Sequence, residues 1–143
     1  MKIFTKILRH TESYTQESAH KEMELQKTAA EFVPCPAVLD FVSEDDLSIL
    51  AMERIDGKTI YELYGDDATH VPKMLWKQIY RIVETLYNQG ISYIDITSYN
   101  FLVKDSKVYI IDFGHAYWNE EKGPNWFLKE FLDGEVSWNP DFA

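Results

Sequence analysis

The sequence predicts an α+β domain rather than a parallel sheet alternating with helices, and three observations carry that expectation. A short alternating run at 2–9 is followed by a long helical pattern. Two strand-like runs, 37–42 and 47–53, are joined only by the acidic turn 43–46. A second pair, 101–103 and 108–112, is joined at Asp105-Ser106. Strands therefore come in neighbouring pairs separated by blocks of helix. With 143 residues, 45% of them hydrophobic and 27% charged, the chain is long enough for one domain with a real core.

In the first strand Ile3 and Ile7 point one way and Phe4, Lys6 and Leu8 the other. Residues 13–32 read as a helix with Ser13 and Gln16 as its capping box. Ser18, Glu22, Leu25, Ala29 and Phe32 fall on one stripe, flanked by Ala19, Met23 and Ala30. Glu17, His20, Lys21, Glu24, Thr28 and Glu31 form the wet face, and Pro34 and Pro36 end the helix. Asp56-Gly57 marks a turn, and a short helix runs over 59–64 to Gly65. The spacing predicts a longer helix over 71–89. Thr69 is its cap, Pro72 lies near its first turn, and Leu75, Ile79, Ile82, Val83 and Leu86 form its buried face. Gly90 stops it. A loop over 91–99 leads into the second strand pair. The tail after Gly114 has little period, apart from a helical turn or two at 126–132.

Composition excludes several functions. Acidic residues number 24 against 14 basic ones, for a net charge of −10, and the basic residues gather no more closely than Lys2, Lys6 and Arg9. Neither nucleic acid nor an anionic membrane surface is an expected partner. Cys35 is the only cysteine, so an intrachain disulfide and a cysteine zinc site are not expected. The four histidines lack HExxH-type spacing. No signal-peptide pattern or apolar run of about 20 residues is seen, so the expected setting is cytoplasmic.

Two segments carry chemistry. Asp95-Ile96-Thr97-Ser98-Tyr99-Asn100 follows the long helix and precedes a strand, and Asp112-Phe113-Gly114 closes the return strand. A carboxylate, an amide five residues on and a second carboxylate can converge at the mouth of a hairpin. That set suits magnesium-nucleotide chemistry, because Mg²⁺ takes one or two protein oxygens and completes its shell with phosphate and water. Asn100 and Asp112 can supply the metal ligands, which leaves Asp95 to orient or deprotonate a hydroxyl. As bland alternatives, Asp95 and Asn100 are ordinary turn and cap residues, and Asp112-Phe113-Gly114 an ordinary strand-ending turn.

At these residues the sequence resembles the protein-kinase superfamily, and in particular small atypical kinases of the KEOPS type. Asp95-x-x-x-x-Asn100 is similar to the catalytic loop and Asp112-Phe113-Gly114 to the metal-binding DFG motif. The resemblance implies a truncated kinase-like fold in one domain: a small antiparallel N-lobe sheet over 1–54 and a shortened helical C-lobe over 55–143. It implies ATP and Mg²⁺, with Asp95 and Asn100 catalytic and Asn100 and Asp112 on the metal. The stretch 51–58 looks like a hinge, with Met52 as gatekeeper, the backbones of Glu53 and Ile55 on the adenine edge, and Leu102 as the adenine floor. The family also pairs a strand lysine with a helix glutamate. The helix stripe selects Glu22 over Glu24, because an inward carboxylate wants a cation. Lys6 is the expected partner, with Lys2 as fallback.

Several features depart from the pattern. No glycine-rich loop precedes Lys6. Tyr93 and Ile94 stand where the family commonly has His and Arg, and Thr97 stands where a Lys is frequent. No Ala-Pro-Glu motif follows. These gaps imply weak phosphoryl transfer by the isolated chain and a protein partner or a second copy, with Trp118, Trp126 and Trp138 as packing anchors or a partner surface. The alternative reading is a pseudokinase or decoy that binds another protein without catalysis. A third is a relative of the aminoglycoside and choline kinases, which use a similar Asp/Asn/Asp set. His115 is expected to be a hydrogen-bonded loop residue, and Cys35 a small buried or loop residue.

Overall fold

The computed structural model describes residues 2–142. Strand β1 (Ile3–Arg9) leads to helix α1 (Gln16–Ala29), followed by β2 (Val38–Ser43) and β3 (Leu47–Glu53). These strands form an antiparallel sheet in the order β1-β3-β2, with Lys6 opposite Leu50 and Phe4 opposite Met52. Strand β3 is central and alternates as a half-buried strand should, with Ser48, Leu50 and Met52 inward. Leu50 and Met52 close a small core with Leu8, Ala19 and Met23.

The larger core gathers around α3 (Lys73–Asn88), whose Leu75, Ile79, Ile82, Val83 and Leu86 are buried as its period predicts. Against it pack Phe101, Val108 and Ile110 of the hairpin β6 (Phe101–Lys104) and β7 (Lys107–Ile110), together with Leu128 and Phe131 of α4 (Trp126–Leu132). The hairpin turns at Asp105 and Ser106, whose φ angles of 51° and 65° give the two left-handed residues of a tight turn that matches strand twist. Helix α1 serves both cores, with Ala19 and Met23 in the small one and Leu25 and Ala29 in the large one.

Helix α2 (Ile60–Tyr64) follows a two-residue strand, β4 (Lys58–Thr59), that pairs with β6, so Thr59 is the cap of the helix rather than its first residue as the pattern predicts. Gly57 makes that pairing possible, since a Cβ there would sit 2.6 Å from the Val103 carbonyl oxygen. Two further two-residue strands, β5 (Ile91–Ser92) and β8 (Tyr117–Trp118), pair with each other and pin the tail to the end of α3. They are too short to carry any periodicity.

Four more local expectations differ from the structure. The capping box of α1 is Thr15 with Ser18, not Ser13 with Gln16, because Thr15 is the residue that takes the extended cap conformation. Helix α1 ends at Ala29, so Phe32 leaves the stripe and stands 46% exposed. Thr69 does not cap α3; its hydroxyl and N–H both bond Asp67 in a preceding turn, and Pro72 occupies the cap. Strand β7 stops at Ile110 rather than 112, because Asp112 adopts a left-handed φ of 64° that no strand can continue.

Candidate active site

The site forms where the small sheet meets the hairpin. Alternation in β1 turns Lys6 toward α1, and the helix period brings Glu22 to meet it. Lys6 Nζ donates to Glu22 Oε2 at 2.7 Å and to Asp112 Oδ1 at 3.3 Å. Glu22 is only 3% exposed, and its other oxygen accepts the Tyr14 hydroxyl at 2.6 Å. Both carboxylate oxygens are thus filled, which a buried charge requires. Burial alone would lower the pKa of the Lys6 ammonium, but the Glu22 and Asp112 carboxylates outweigh it and the net shift is upward. Tyr14 is pushed well above the ordinary tyrosine range by burial and by Glu22. Lys2, the fallback, pairs with Asp56 at 2.7 Å and takes no part.

Asp112 owes its placement to its own backbone. The positive φ turns its side chain back so that Oδ1 accepts both Lys6 and the Gly114 N–H, the latter at 3.1 Å. Asp tolerates this region better than most residues. Gly114 is a close approach: a Cβ would lie 3.2 Å from Asp112 Oδ1 and 3.3 Å from Glu22 Oε1. Replacing Gly114 with alanine is therefore expected to press on both carboxylates, lowering the melting temperature and weakening the Mg-ATP binding that the sequence resemblance implies. Calorimetric titration with and without Mg²⁺ checks this; unchanged binding would show that the carboxylates need no such clearance.

The Asp95 loop is bound to Ile111, the residue just before Asp112. Asn100 Nδ2 donates to the Asp95 carbonyl at 3.0 Å, and the Asn100 carbonyl accepts the Ile111 N–H at 3.0 Å, which sets Asn100 beside Asp112 in sequence register. With Nδ2 engaged, the amide oxygen of Asn100 is the atom left for a cation. Tyr93, at the family's usual His position, donates its buried hydroxyl to the Ile111 carbonyl at 2.6 Å and meets Phe113 edge-on at 5.3 Å. The Asp95 side chain is 10% exposed, and its Oδ2 accepts a bond from His115 Nδ1 at 3.1 Å.

A cavity of about 420 Å³ opens on this cluster. Its walls include Lys6, Met52, Glu53, Ile55, Leu102 and Asp112, together with Phe4 and Pro36. Glu53 uses its N–H on the Ala37 carbonyl, so its own carbonyl is what it could offer a ligand. Met52 is fixed by Gln26, a buried amide that reaches both the Met52 sulfur at 3.4 Å and the Pro36 carbonyl at 3.0 Å. Glu22 stands behind Lys6, and Asp95 and Asn100 lie outside the cavity wall. Among the described residues no group of three or more His, Cys, Asp or Glu could hold a metal alone, so a cation at Asn100 and Asp112 would depend on phosphate oxygens. Sequence reading missed Tyr14 and Gln26. Gln26 lies one position past the Glu22–Leu25 stripe and could have been found there; Tyr14 precedes the helix and gave no signal.

A three-stranded sheet joined through a cleft to a larger part built on α3 and the β6–β7 hairpin defines a kinase-like domain of small, atypical form. The RIO domain family model matches residues 4–133, and the chain belongs to that family. Among curated relatives, it is 33% identical over 92 residues to a protein of Archaeoglobus fulgidus described as "Probable serine/threonine-protein kinase BUD32 homolog", covering 64% of this chain and 42% of the relative. It is 28% identical over 106 residues to the "KEOPS complex subunit Bud32" of Pyrococcus abyssi, covering 73% of this chain and 47% of that protein. A "Sperm motility kinase Tcr mutant form" of Mus musculus is 40% identical over 73 residues, covering 46% of this chain and 14% of the relative. The chain spans under half the length of each of these relatives.

Proposed function

We propose that the chain is a minimal RIO-type phosphotransferase or ATPase that binds Mg-ATP in the cleft between β1, β3 and the hairpin. One observation carries the reading: the Lys6 ammonium, held between Glu22 and Asp112, stands in the wall of a cavity that Phe4, Pro36, Met52, Ile55, Leu102 and Ile111 line with apolar surface, beside polar Gln26, Glu53, Arg54 and Asp56. Met52, Leu102, Phe4 and Pro36 suit a flat heteroaromatic ring, and Lys6 suits phosphate. Mg-ATP supplies the transferable γ-phosphoryl group and the cation that neutralises it. Lys6 would hold phosphate oxygens, Asn100 and Asp112 would hold the metal, and Asp95 would orient or take the proton of the acceptor hydroxyl. A serine or threonine hydroxyl is the proposed acceptor, with water as the default, in a cytoplasmic setting.

A protein partner or second copy is part of the proposal. Strand β1 lies at the edge of its sheet, with Ile3 59% and Ile7 56% exposed, and an open edge of this kind accepts an added strand. The same open flank favours the second reading, a non-catalytic module that binds nucleotide or a partner without turnover.

Thermal denaturation with ATP, with and without Mg²⁺, tests the reading. Mg-ATP is expected to stabilise the protein, by about 2.7 kcal/mol at a hundredfold excess over Kd. Asp112→Asn is expected to remove most of the Mg²⁺-dependent increment, because an amide is a poorer ligand for a hard cation than a carboxylate. No shift at millimolar Mg-ATP would sink the nucleotide site; binding without turnover would favour the second reading.

A further inference from the structure

We infer that the C-terminal segment 138–142 is a clamp on the catalytic loop, with Asn139 as the positioning residue that fixes Asp95. The inference rests on the proposed role of Asp95. That residue sits at the centre of a three-residue turn, closed by the Ile96 N–H bonding the Ile94 carbonyl at 2.9 Å. Such turns are small and gain little from their single bond. Asn139 bonds both ends of this one. Its side-chain Nδ2 donates to the Ile94 carbonyl at 2.9 Å, and its backbone N–H donates to the Ile96 carbonyl at 2.8 Å.

Asn139 lies in an irregular tail yet is only 2% exposed. Its remaining oxygens accept the N–H groups of Asp141 at 3.0 Å and Phe142 at 3.2 Å, so each of its polar atoms is engaged. Trp138 anchors the segment in the large core, with its ring centroid 4.4 Å from that of Trp76. Phe142 then lies over His115 at 4.8 Å, and His115 bonds the Asp95 carboxylate. The tail thus holds Asp95 by its backbone from one side and, through His115, by its carboxylate from the other. Docking alone needs only the tryptophan; an asparagine whose side-chain and backbone N–H groups each take one of the two carbonyls that flank the acid is a specific device.

Amide hydrogen exchange and steady-state kinetics on the full chain test this. In the wild type the Asn139 and Ile96 amides are expected to exchange slowly. Asn139→Asp keeps size and backbone but places an acceptor against the Ile94 carbonyl, and Asn139→Ala removes the donor. Both are expected to speed exchange across 93–98 at least tenfold while the α3 amides stay protected. Both are expected to lower kcat about 10- to 100-fold with KM for ATP within about twofold, since a 1 Å displacement of a catalytic group costs about 10² in rate. An Asn139 amide that exchanges like a free chain in the wild type overturns the clamp whether or not the variants fold. So does loop exchange unchanged in Asn139→Asp, or a KM that rises while kcat holds. Exchange reads the clamp even in a protein without turnover, so absent turnover would count against the proposed function alone.

Discussion

Turnover by an Asp95→Asn variant is expected to fall about 10²–10⁴-fold while Mg-ATP affinity stays near that of the wild type. Asp95 lies outside the cavity wall and has no part in the proposed ring, phosphate or metal contacts, so its replacement leaves those contacts in place. Asparagine also preserves the backbone carbonyl that receives Asn100. What is lost is the basic carboxylate oxygen now facing His115. Single-turnover measurements together with equilibrium titration separate the two effects. If Asp95→Asn abolished binding while Asp112→Asn did not, the assigned roles would be exchanged.

Lys6→Met is expected to destabilise the fold by about 2–3 kcal/mol and to remove measurable nucleotide binding. Removing one partner of a fully buried ion pair typically costs 3–5 kcal/mol. The expected value is lower because Lys6 is 29% exposed and Tyr14 remains on Glu22. The double variant Lys6→Met/Glu22→Leu, which deletes both charges, should regain most of the stability and none of the binding. Chemical denaturation reads the first quantity and titration the second. A single variant as stable as wild type, or a double variant that binds Mg-ATP, would refute the account. The pH dependence has a definite sign. The pKa of Lys6 is raised on folding, so its contribution is complete below the ordinary lysine value and is lost as pH climbs through the higher folded one.

The parts of this site written locally could be read from the sequence. Glu22 was selected by counting a helix stripe, and the structure puts it 2.7 Å from the one strand lysine that faces inward. Asp95, Asn100 and Asp112 are candidates by their spacing around a hairpin, and the structure joins Asn100 to the Asp95 carbonyl and to the Ile111 N–H just before Asp112. The residues that escaped reading act across distance without periodicity. Tyr14 reaches Glu22 from a loop, and Asn139 reaches back to Ile94 and Ile96 from a tail whose pattern predicts nothing. The sequence predicts a hydrogen-bonded loop residue at His115; that its bond goes to Asp95 is a fact of topology. The α1 cap slipped by two residues because Ser13 and Thr15 are chemically equivalent candidates, and only backbone conformation separates them.

The inequality of the two cores bears on how the chain comes apart. Among the described residues, five buried side chains hold the small sheet, against twenty-one in the larger cluster. Openings of a folded protein follow such differences, with weakly packed units fluctuating well below the global unfolding threshold. The sheet that carries Lys6 and Met52 is therefore the low-energy opening unit, and α1, rooted in both clusters, is the element along which that opening stops. A nucleotide in the cleft would touch both sides of this seam and so fuse two cooperative units into one. Its effect would be to sharpen the melting transition as well as raise it.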